Sequence, residues 1–286
     1  VDDFSRGKKD KFFKDLLKKK NVKFLNQDLT KPFKIKDKNI KYVFHMAARL
    51  GVSNVISKPS ETINDNLLIL INTIKAIKIN NKNAKIIFFS TSEVYSPAIE
   101  NKTAEFPLKE NTKLFIKNEI KPRDSYYVSK LVGEKIVELS GLNYLNLRPH
   151  NIYGSRMGFS HVIPELIKKF KAKKNKIKVF SPAHKRAFCY IDDAIHQIIS
   201  LAFNQNANKS VFNIGNNTEE VGIFDLAKKI KRLLNSKKEL IIANNTPGSP
   251  TRRVPDMLKT KEFIKELRFT DLEQGLKNYI NKDKQN

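Results

Sequence analysis

Two short blocks in this chain hold groups that could move a proton and let a hydride leave. Ser90-Thr91-Ser92-Glu93-Val94-Tyr95 carries a hydroxyl and a carboxylate, and Tyr126-Tyr127-Val128-Ser129-Lys130 places a phenol four residues before an amine. Side chains four apart on a helix share one face. An ammonium close to a phenol favours the phenolate. The Thr91 hydroxyl can hydrogen-bond the oxygen that Tyr126 deprotonates, and Glu93 supplies a further carboxylate. Such a set can take a proton from a sugar hydroxyl while a hydride leaves the same carbon. A lone Tyr-x-x-x-Lys occurs often by chance. Each residue also has a bland rival: a packed aromatic, a solvated lysine, a strand-ending threonine, a capping glutamate.

The elements that must position these groups alternate between strand-like and helix-like patterns, which implies a parallel sheet with crossover helices. Strands are expected from Val22 to Leu25, Tyr42 to Met46, Lys85 to Phe89, Asn143 to Leu147 and Val211 to Ile214. Helices are expected from Glu61 to Asn80, from Tyr126 to Ser140 with an end near Gly141, from His161 to Lys174, from Asp192 to Phe203 and from Ile223 to Leu234. The tail from Phe263 to Ile280 reads as mostly helical, and Pro247-Gly248-Ser249-Pro250 as a loop. No internal repeat is visible, and a domain boundary near residue 152 fits the change of character there.

The length of 286 residues suits one or two domains with a substantial core. No apolar run reaches the roughly 18 residues that span a bilayer, and no cleavable signal pattern is visible, so no membrane partner is expected. The single cysteine, Cys189, fits a reducing cytoplasm and, between Phe188 and Tyr190, a buried structural thiol. The net charge of +26 raises the question of nucleic acid. Lysine supplies 45 of the 55 basic residues, scattered along the chain with no zinc-finger spacing or aromatic-plus-basic strand motif. A solvated Lys-rich surface is the expectation, with weak steering of anionic sugar diphosphates as its functional rival. No nucleic-acid partner and no metal are expected.

In open parallel sheets, ligands sit at the carboxyl ends of strands. Asp2 stands where a strand would end, and such an acid accepts hydrogen bonds from an adenosine ribose and repels a 2′-phosphate, favouring NAD over NADP. Asp28 follows the strand expected at Val22, and Ala47-Ala48 follows the next one, where small side chains admit a cofactor. Taken alone, either aspartate is more often a turn or cap acid. The glycine-rich loop that cradles a pyrophosphate is absent from this sequence, and Gly7 and Gly51 do not replace it. The expectation is either a fragment whose glycine loop lies upstream of Asp2, or a chain that binds a dinucleotide poorly.

Several blocks, in order, resemble the extended short-chain dehydrogenase/reductases of the NAD-dependent epimerase/dehydratase family, which act on nucleotide sugars. Val1-Asp2-Asp3-Phe4-Ser5-Arg6-Gly7 resembles the end of the family's second strand, and Phe44-His45-Met46-Ala47-Ala48 a later cofactor segment. Asn66 matches an Asn of the following helix. Arg148-Pro149-His150-Asn151-Ile152-Tyr153-Gly154 resembles the signature after the catalytic helix, and Gly158 to Pro164 also has the family's character. Arg186-Ala187-Phe188-Cys189-Tyr190-Ile191-Asp192-Asp193 and Arg252-Arg253-Val254-Pro255-Asp256 resemble its sugar-nucleotide blocks. Ser96 departs from the pattern, which has Gly after the tyrosine, and Pro97 to Lys121 is a long Lys-rich stretch where a substrate mouth would lie.

The resemblance implies a Rossmann-type doubly wound parallel sheet, its first strand and glycine loop missing, with a smaller C-terminal substrate-binding domain. The NAD-binding part would cover residues 1–152 and the nucleotide-sugar part 153–286, with about 186–215 returning to the Rossmann sheet. It implies Thr91, Tyr126 and Lys130 as the catalytic set, with Glu93 as an additional acid/base. Asp2, Asp28, Leu29, Met46, Ala47, Ala48, Asn66, Lys130 and His150 would line NAD. Asn151, Arg186, Arg253 and Asp256 would hold a UDP-, GDP- or dTDP-linked sugar. The implied enzyme is an NAD-dependent nucleotide-sugar epimerase/dehydratase working through a 4-keto sugar, cytoplasmic and homodimeric. One alternative is a UDP-glucuronate decarboxylase-type enzyme using Glu93; another is a non-catalytic dinucleotide-binding regulatory protein. Replacing Tyr126 by Phe removes the proposed base, so Tyr126→Phe is expected to cut turnover at least about a hundredfold, as loss of a general acid/base does. Near-normal turnover in a steady-state assay of that variant would rule the assignment out.

Overall fold

The computed structural model describes residues 1–7, 9–158 and 161–283. Phe159 and Ser160, inside the Gly158 to Pro164 block, lie outside the described residues. In chain order the helices are α1 (Lys11–Leu17), α2 (Val52–Ser57), α3 (Pro59–Asn80), α4 (Ser96–Glu100), α5 (Asp124–Glu138), α6 (Val162–Lys171), α7 (Ile191–Phe203), α8 (Ile223–Leu233), α9 (Leu258–Phe263) and α10 (Leu272–Asp283). The strands are β1 (Tyr42–His45), β2 (Lys85–Phe89), β3 (Asn143–Pro149), β4 (Ile152–Tyr153), β5 (Lys176–Val179), β6 (Lys185–Ala187), β7 (Cys189–Tyr190), β8 (Ser210–Ile214), β9 (Glu220–Gly222), β10 (Glu239–Ile242) and β11 (Arg252–Arg253). Packing divides the chain into two compact units, Val1–Phe88 with Lys121–Tyr144, and Phe89–Ile120 with Leu145–Asn286. This division does not decide the functional division expected at residue 152. No helix among the described residues is long and apolar enough to cross a membrane.

In the first unit, β1 and β2 pair in parallel, Tyr42 opposite Lys85 through His45 opposite Phe88. Two antiparallel strands can share a tight turn, whereas parallel neighbours need a crossover, and α2 and α3 supply it. α3 starts two residues before the expected Glu61, because Pro59 has no N–H to lose at a helix start. Its inner face, Leu70, Ile74 and Ile77, packs with Ile86, Phe88, Val137 and Leu142 into one core. The strand expected from Val22 to Leu25 does not form. Asp2 and Asn26 meet in a single isolated bridge, and one bridge makes no ladder. Phe24 instead joins Phe4 and Phe13 in an aromatic cluster with ring centroids 4.9 to 5.3 Å apart.

In the second unit, β3 pairs in parallel with β8, Leu145 opposite Ser210 through Pro149 opposite Ile214. β3 therefore runs on to Pro149, beyond the expected end at Leu147. Short strands flank this pair: β5 with β10 and β4 with β7 are parallel, while β6 lies between a parallel β11 and an antiparallel β9. These strands of two to four residues are too short for periodicity to reveal. The core gathers Ile163, Leu166, Ile167 and Phe170 of α6, Leu226, Ala227 and Ile230 of α8, and Leu276, Tyr279 and Ile280 of α10. The tail is not one helix. Asp193 accepts hydrogen bonds from the Thr270 N–H and hydroxyl, both 2.8 Å, and Asp271 caps α10 by accepting from Gln274 N. Ser96 adopts φ −55° and ψ −42°, ordinary helical values that need no glycine, so α4 simply continues from the turn before it.

Gly154 is required for close approach. A Cβ there would lie 2.3 Å from Ile191 Cγ2 and 2.5 Å from its Cβ. The branch point of a side chain cannot swing away, so the backbone must move. Gly154→Ala is expected to destabilise the fold by about 1–3 kcal/mol, as overpacking does. Urea denaturation should show the loss as a lower midpoint; an unchanged midpoint would refute the tight contact.

Candidate active site

Within the first unit, α5 begins where Asp124 Oδ2 accepts from Lys121 N (2.9 Å). Tyr126 follows in the first turn, half-buried, and Lys130 one turn later is only 3% exposed. Lys130 Nζ lies 5.0 Å from the centroid of the Phe88 ring and 5.9 Å from that of Tyr126. Burial pushes the Lys130 pKa down to about 8, which leaves it cationic at neutral pH. His45, at the end of β1, stacks on the same Phe88 ring with centroids 5.9 Å apart. Burial first, and the Lys130 charge second, lower its pKa to about 3, so the imidazole is neutral. Gly133 lets Phe88 reach this place, since a Cβ there would stand 2.6 Å from Phe88 Cζ.

Asn66, in α3, ties the segment after β1 to the Tyr126 helix. Its Oδ1 accepts from Arg49 N (2.6 Å), and its Nδ2 donates to Arg49 O (3.2 Å) and Ser129 Oγ (3.0 Å). The Ser129 hydroxyl in turn donates to the Tyr126 carbonyl (2.8 Å). The Asn66 amide is thus committed to protein partners. Met46 stays 57% exposed beyond β1, followed by the half-buried Ala47 and Ala48.

The remaining cofactor candidates divide. Asp2 is exposed, with Oδ1 accepting from Phe4 N (2.7 Å). Asp28 is a turn acid: its Oδ1 accepts from both the N–H (2.9 Å) and the hydroxyl (2.7 Å) of Thr30, and these bonds hold its carboxyl below the usual range. The carbonyls of Leu29 and Thr30 accept from Asn72 Nδ2 at 3.0 Å each, which fixes that turn on α3. An exposed Asp2 carboxylate, small side chains after β1 and a buried cationic Lys130 fit the two ends of NAD. The pyrophosphate cradle is the part for which this sequence offers no glycine-rich loop.

Thr91 and Glu93 belong to the second unit. Ser90 N donates to Leu147 O (2.8 Å), seating the chain beside β3. Thr91 then caps the single 3-10 turn Ser92–Tyr95 by accepting from Glu93 N (3.2 Å). Glu93 Oε1 lies 3.9 Å from Arg253 Nη2, with the side chains 24% and 12% exposed. The adjacent Arg252 has another task, bound bidentately by Glu220 at 2.8 Å twice. The two neighbouring arginines thus face different carboxylates.

Other substrate candidates hold the scaffold. Asn151, at φ +43°, donates to Ala187 O (2.9 Å) and Arg253 O (3.4 Å). Arg186 is buried and donates to Ser249 Oγ (3.0 Å) and Pro250 O (2.5 Å), anchoring the Pro247 to Pro250 loop. Asp256 accepts from Leu258 N (2.7 Å) at the start of α9. His150 has no exposed surface; burial holds its pKa near 3, and Nε2 pairs with Asn213 Oδ1 (3.0 Å). The His150 ring is thus held in the interior by Asn213. Sequence reading misses Tyr95 and Asn213, which share this buried network with Arg148 and His150. Its members are scattered between positions 95 and 213, so no local spacing signals them.

The profile of the NAD dependent epimerase/dehydratase family matches residues 5–215. The chain belongs to that family, and it is an NAD-dependent enzyme of nucleotide-sugar chemistry. It is similar to a UDP-N-acetyl-alpha-D-glucosaminuronate decarboxylase of Bacillus cytotoxicus, 29% identical over 98% of this chain and 88% of that one. It is also similar to UDP-glucuronic acid decarboxylase 1 of Xenopus tropicalis, 26% identical over 98% of this chain and 64% of the relative's length. Among solved structures, UDP-glucose 4-epimerase of Thermotoga maritima with UDP-glucose shares the fold at TM-score 0.82 and 23% identity, covering 100% of this chain and 90% of the other.

The buried lysine has a consequence for stability. Its pKa is about 8 in the folded chain against 10.5 when solvated, so between those values the unfolded chain binds more protons and stability rises with pH. Below pH 8 the whole penalty applies, about 3 kcal/mol at 1.36 kcal/mol per pKa unit. Lys130→Met is therefore expected to be inactive yet more stable at pH 7, by up to about 3 kcal/mol, with the advantage shrinking toward pH 10. Urea denaturation at both pH values checks this, and a gain independent of pH would contradict it.

Proposed function

We propose that Tyr126 is the base that takes the proton from the C4 hydroxyl of a nucleotide-linked sugar, producing a 4-keto intermediate. The observation that carries this reading is the buried, cationic Lys130 one helical turn from Tyr126 on α5. Its charge favours the phenolate, and the dry surroundings strengthen that effect. Thr91 hydrogen-bonds the reacting oxygen. Asp2, Asp28 and Leu29 would hold the adenosine end of NAD, and Met46, Ala47, Ala48 and Lys130 its other end, where the cofactor would supply the hydride acceptor. Asn66 and His150 complete the lining of the NAD site, and both side chains are already anchored on protein partners. Arg186 and Arg253 hold the diphosphate, to which a guanidinium is matched by its bidentate donors, and Asn151 and Asp256 complete the nucleotide-sugar site. The proposal extends to a cytoplasmic homodimer: a buried lone cysteine accords with the compartment, and the dimer is an analogy with the family.

The 4-keto stage leads to an epimer if the ketone turns over and the hydride returns. It leads to a 4-keto-6-deoxy sugar if water is lost across C5–C6 and the hydride is then returned to C6, with a proton added at C5. A second reading, decarboxylation of a UDP-hexuronate, is favoured by Arg253 standing 3.9 Å from Glu93. A guanidinium there can bind a 6-carboxylate in the ground state, and Glu93 can manage the proton once CO2 leaves the β-keto acid. The likeness to two decarboxylases supports the same branch.

Purified protein with NAD and, in turn, UDP-glucuronate, UDP-N-acetylglucosaminuronate and UDP-glucose tests both readings. Transient absorbance near 340 nm is expected with a substrate, and CO2 release with a uronate alone marks the decarboxylase branch. Glu93→Gln is expected to keep 4-keto formation and to slow product formation at least about a hundredfold, as loss of an acid/base group does. No reduced cofactor with any of the three sugars would count against the 4-keto reading, and an unimpaired Glu93→Gln against a chemical role for Glu93.

A further inference from the structure

Asn213, at the inner end of β8, is a fully buried amide bonded on every side. Its Nδ2 donates to the carbonyls of Leu108 (2.8 Å) and Asp256 (3.2 Å). Two carbonyl acceptors fix which way the amide points. Oδ1 therefore accepts from the Tyr95 hydroxyl (2.9 Å) and from His150 Nε2 (3.0 Å), which assigns the His150 proton to Nε2. Its backbone is held as well: Asn213 N donates to Glu110 Oε1 (2.8 Å), and Asn213 O accepts from Thr260 Oγ1 (2.9 Å). Arg148 Nη1 closes the network, donating to the Tyr95 hydroxyl and to Glu110 O at 2.9 Å each.

Two arms of this hub lead to groups that face one another. Tyr95 ends the 3-10 turn Ser92–Tyr95, which carries Glu93. Asp256 lies a few residues beyond Arg253, the partner of Glu93 at 3.9 Å. The pair itself is too long for a hydrogen bond and partly exposed, so its own attraction is weak. The hub holds the backbone beneath each residue, through Tyr95 on one side and Asp256 on the other. A neutral amide suits that place. It offers two donors to two carbonyls and one acceptor to two donors, without the desolvation cost of a buried charge.

We propose that Asn213 is a positioning residue that, through the Tyr95 hydroxyl on one arm and the Asp256 carbonyl on the other, sets Glu93 against Arg253 and so controls the proton transfer after the 4-keto sugar forms. This rests on the reading of Glu93 given above. On that reading Glu93 acts only after the 4-keto sugar forms, so the first oxidation is expected to be spared.

The test uses the full chain as wild type, Tyr95→Phe, Asn213→Asp and Glu93→Gln. Tyr95→Phe deletes one hydroxyl and keeps the ring; Asn213→Asp keeps the shape and loses both donors. Backbone hydrogen–deuterium exchange without ligand is the first readout. Loss of one buried hydrogen bond is worth about a tenfold change in local opening. Exchange is expected to rise about tenfold over residues 92–95 in Tyr95→Phe and over 252–256 in Asn213→Asp, with α8 unchanged. Unchanged exchange in both segments, or a rise spread over the whole second unit, would overturn the inference. This readout stands whether or not substrate is turned over, and each variant reports on one arm if the other fails to fold.

The second readout separates the half-reactions with NAD and UDP-glucuronate. Both hub variants are expected to form reduced cofactor at close to the wild-type rate and product about tenfold more slowly, so that absorbance at 340 nm accumulates. Equal slowing of both halves points to a merely structural role and sinks the proposal. Glu93→Gln tells the two failures apart. If it completes the reaction normally, the reading of Glu93 is wrong; if it accumulates reduced cofactor and the hub variants do not, the positioning inference alone is wrong.

Discussion

Keeping a lysine ammonium cationic inside an apolar core is the constraint around which the first unit is arranged. Lys130 is 3% exposed, and its charge is met by the faces of Phe88 and Tyr126. Ring faces attract a cation without adding a second charge that would bind it too tightly. Phe88 can lie there because β1 and β2 run in parallel under α3 and α5, and because position 133 has no side chain. His45, stacked on the same ring, stays neutral and so does not repel Lys130. The result is a lysine whose pKa of about 8 lets it remain charged at neutral pH while its field is little screened.

The second unit meets a different requirement with different means. Several of its buried polar side chains bond one another, and Asn213 stands at the centre of that network. Such a network specifies geometry more than it adds stability, since each bond only replaces one to solvent. The large positive charge plays no comparable part. Ion pairs such as Lys18 with Asp15 or Lys228 with Asp225 are exposed and contribute little.

Much of the fold was legible along the chain. The strand from Lys85 to Phe89 stands where it was expected, and α3, α7 and α8 lie within two residues of their expected bounds, because long apolar periodicity reports burial directly. The Val22 strand failed because its alternation served an aromatic cluster instead of a ladder. In the tail expected to be mostly helical from Phe263, α10 starts only at Leu272, after Asp193, from a distant helix, has fastened Thr270. Strands of two or three residues, β4, β6, β7, β9 and β11, left no trace in the pattern at all.

The chemistry divides along the same line. Tyr126 and Lys130 share a helix, so their spacing alone placed them together, and the ordered family blocks told what kind of substrate they meet. The sequence by itself thus determined the class of enzyme and singled out the groups proposed to react. Only the tertiary structure decided which polar side chains are already spent: Asp28 on Thr30, Asn66 on Arg49 and Ser129, Asp256 on Leu258, His150 on Asn213. It also separated Arg253, beside Glu93, from Arg252, bound by Glu220. Several of these bonds join residues tens of positions apart, and residue type and short-range spacing carry no record of which donor the fold will bring to which acceptor.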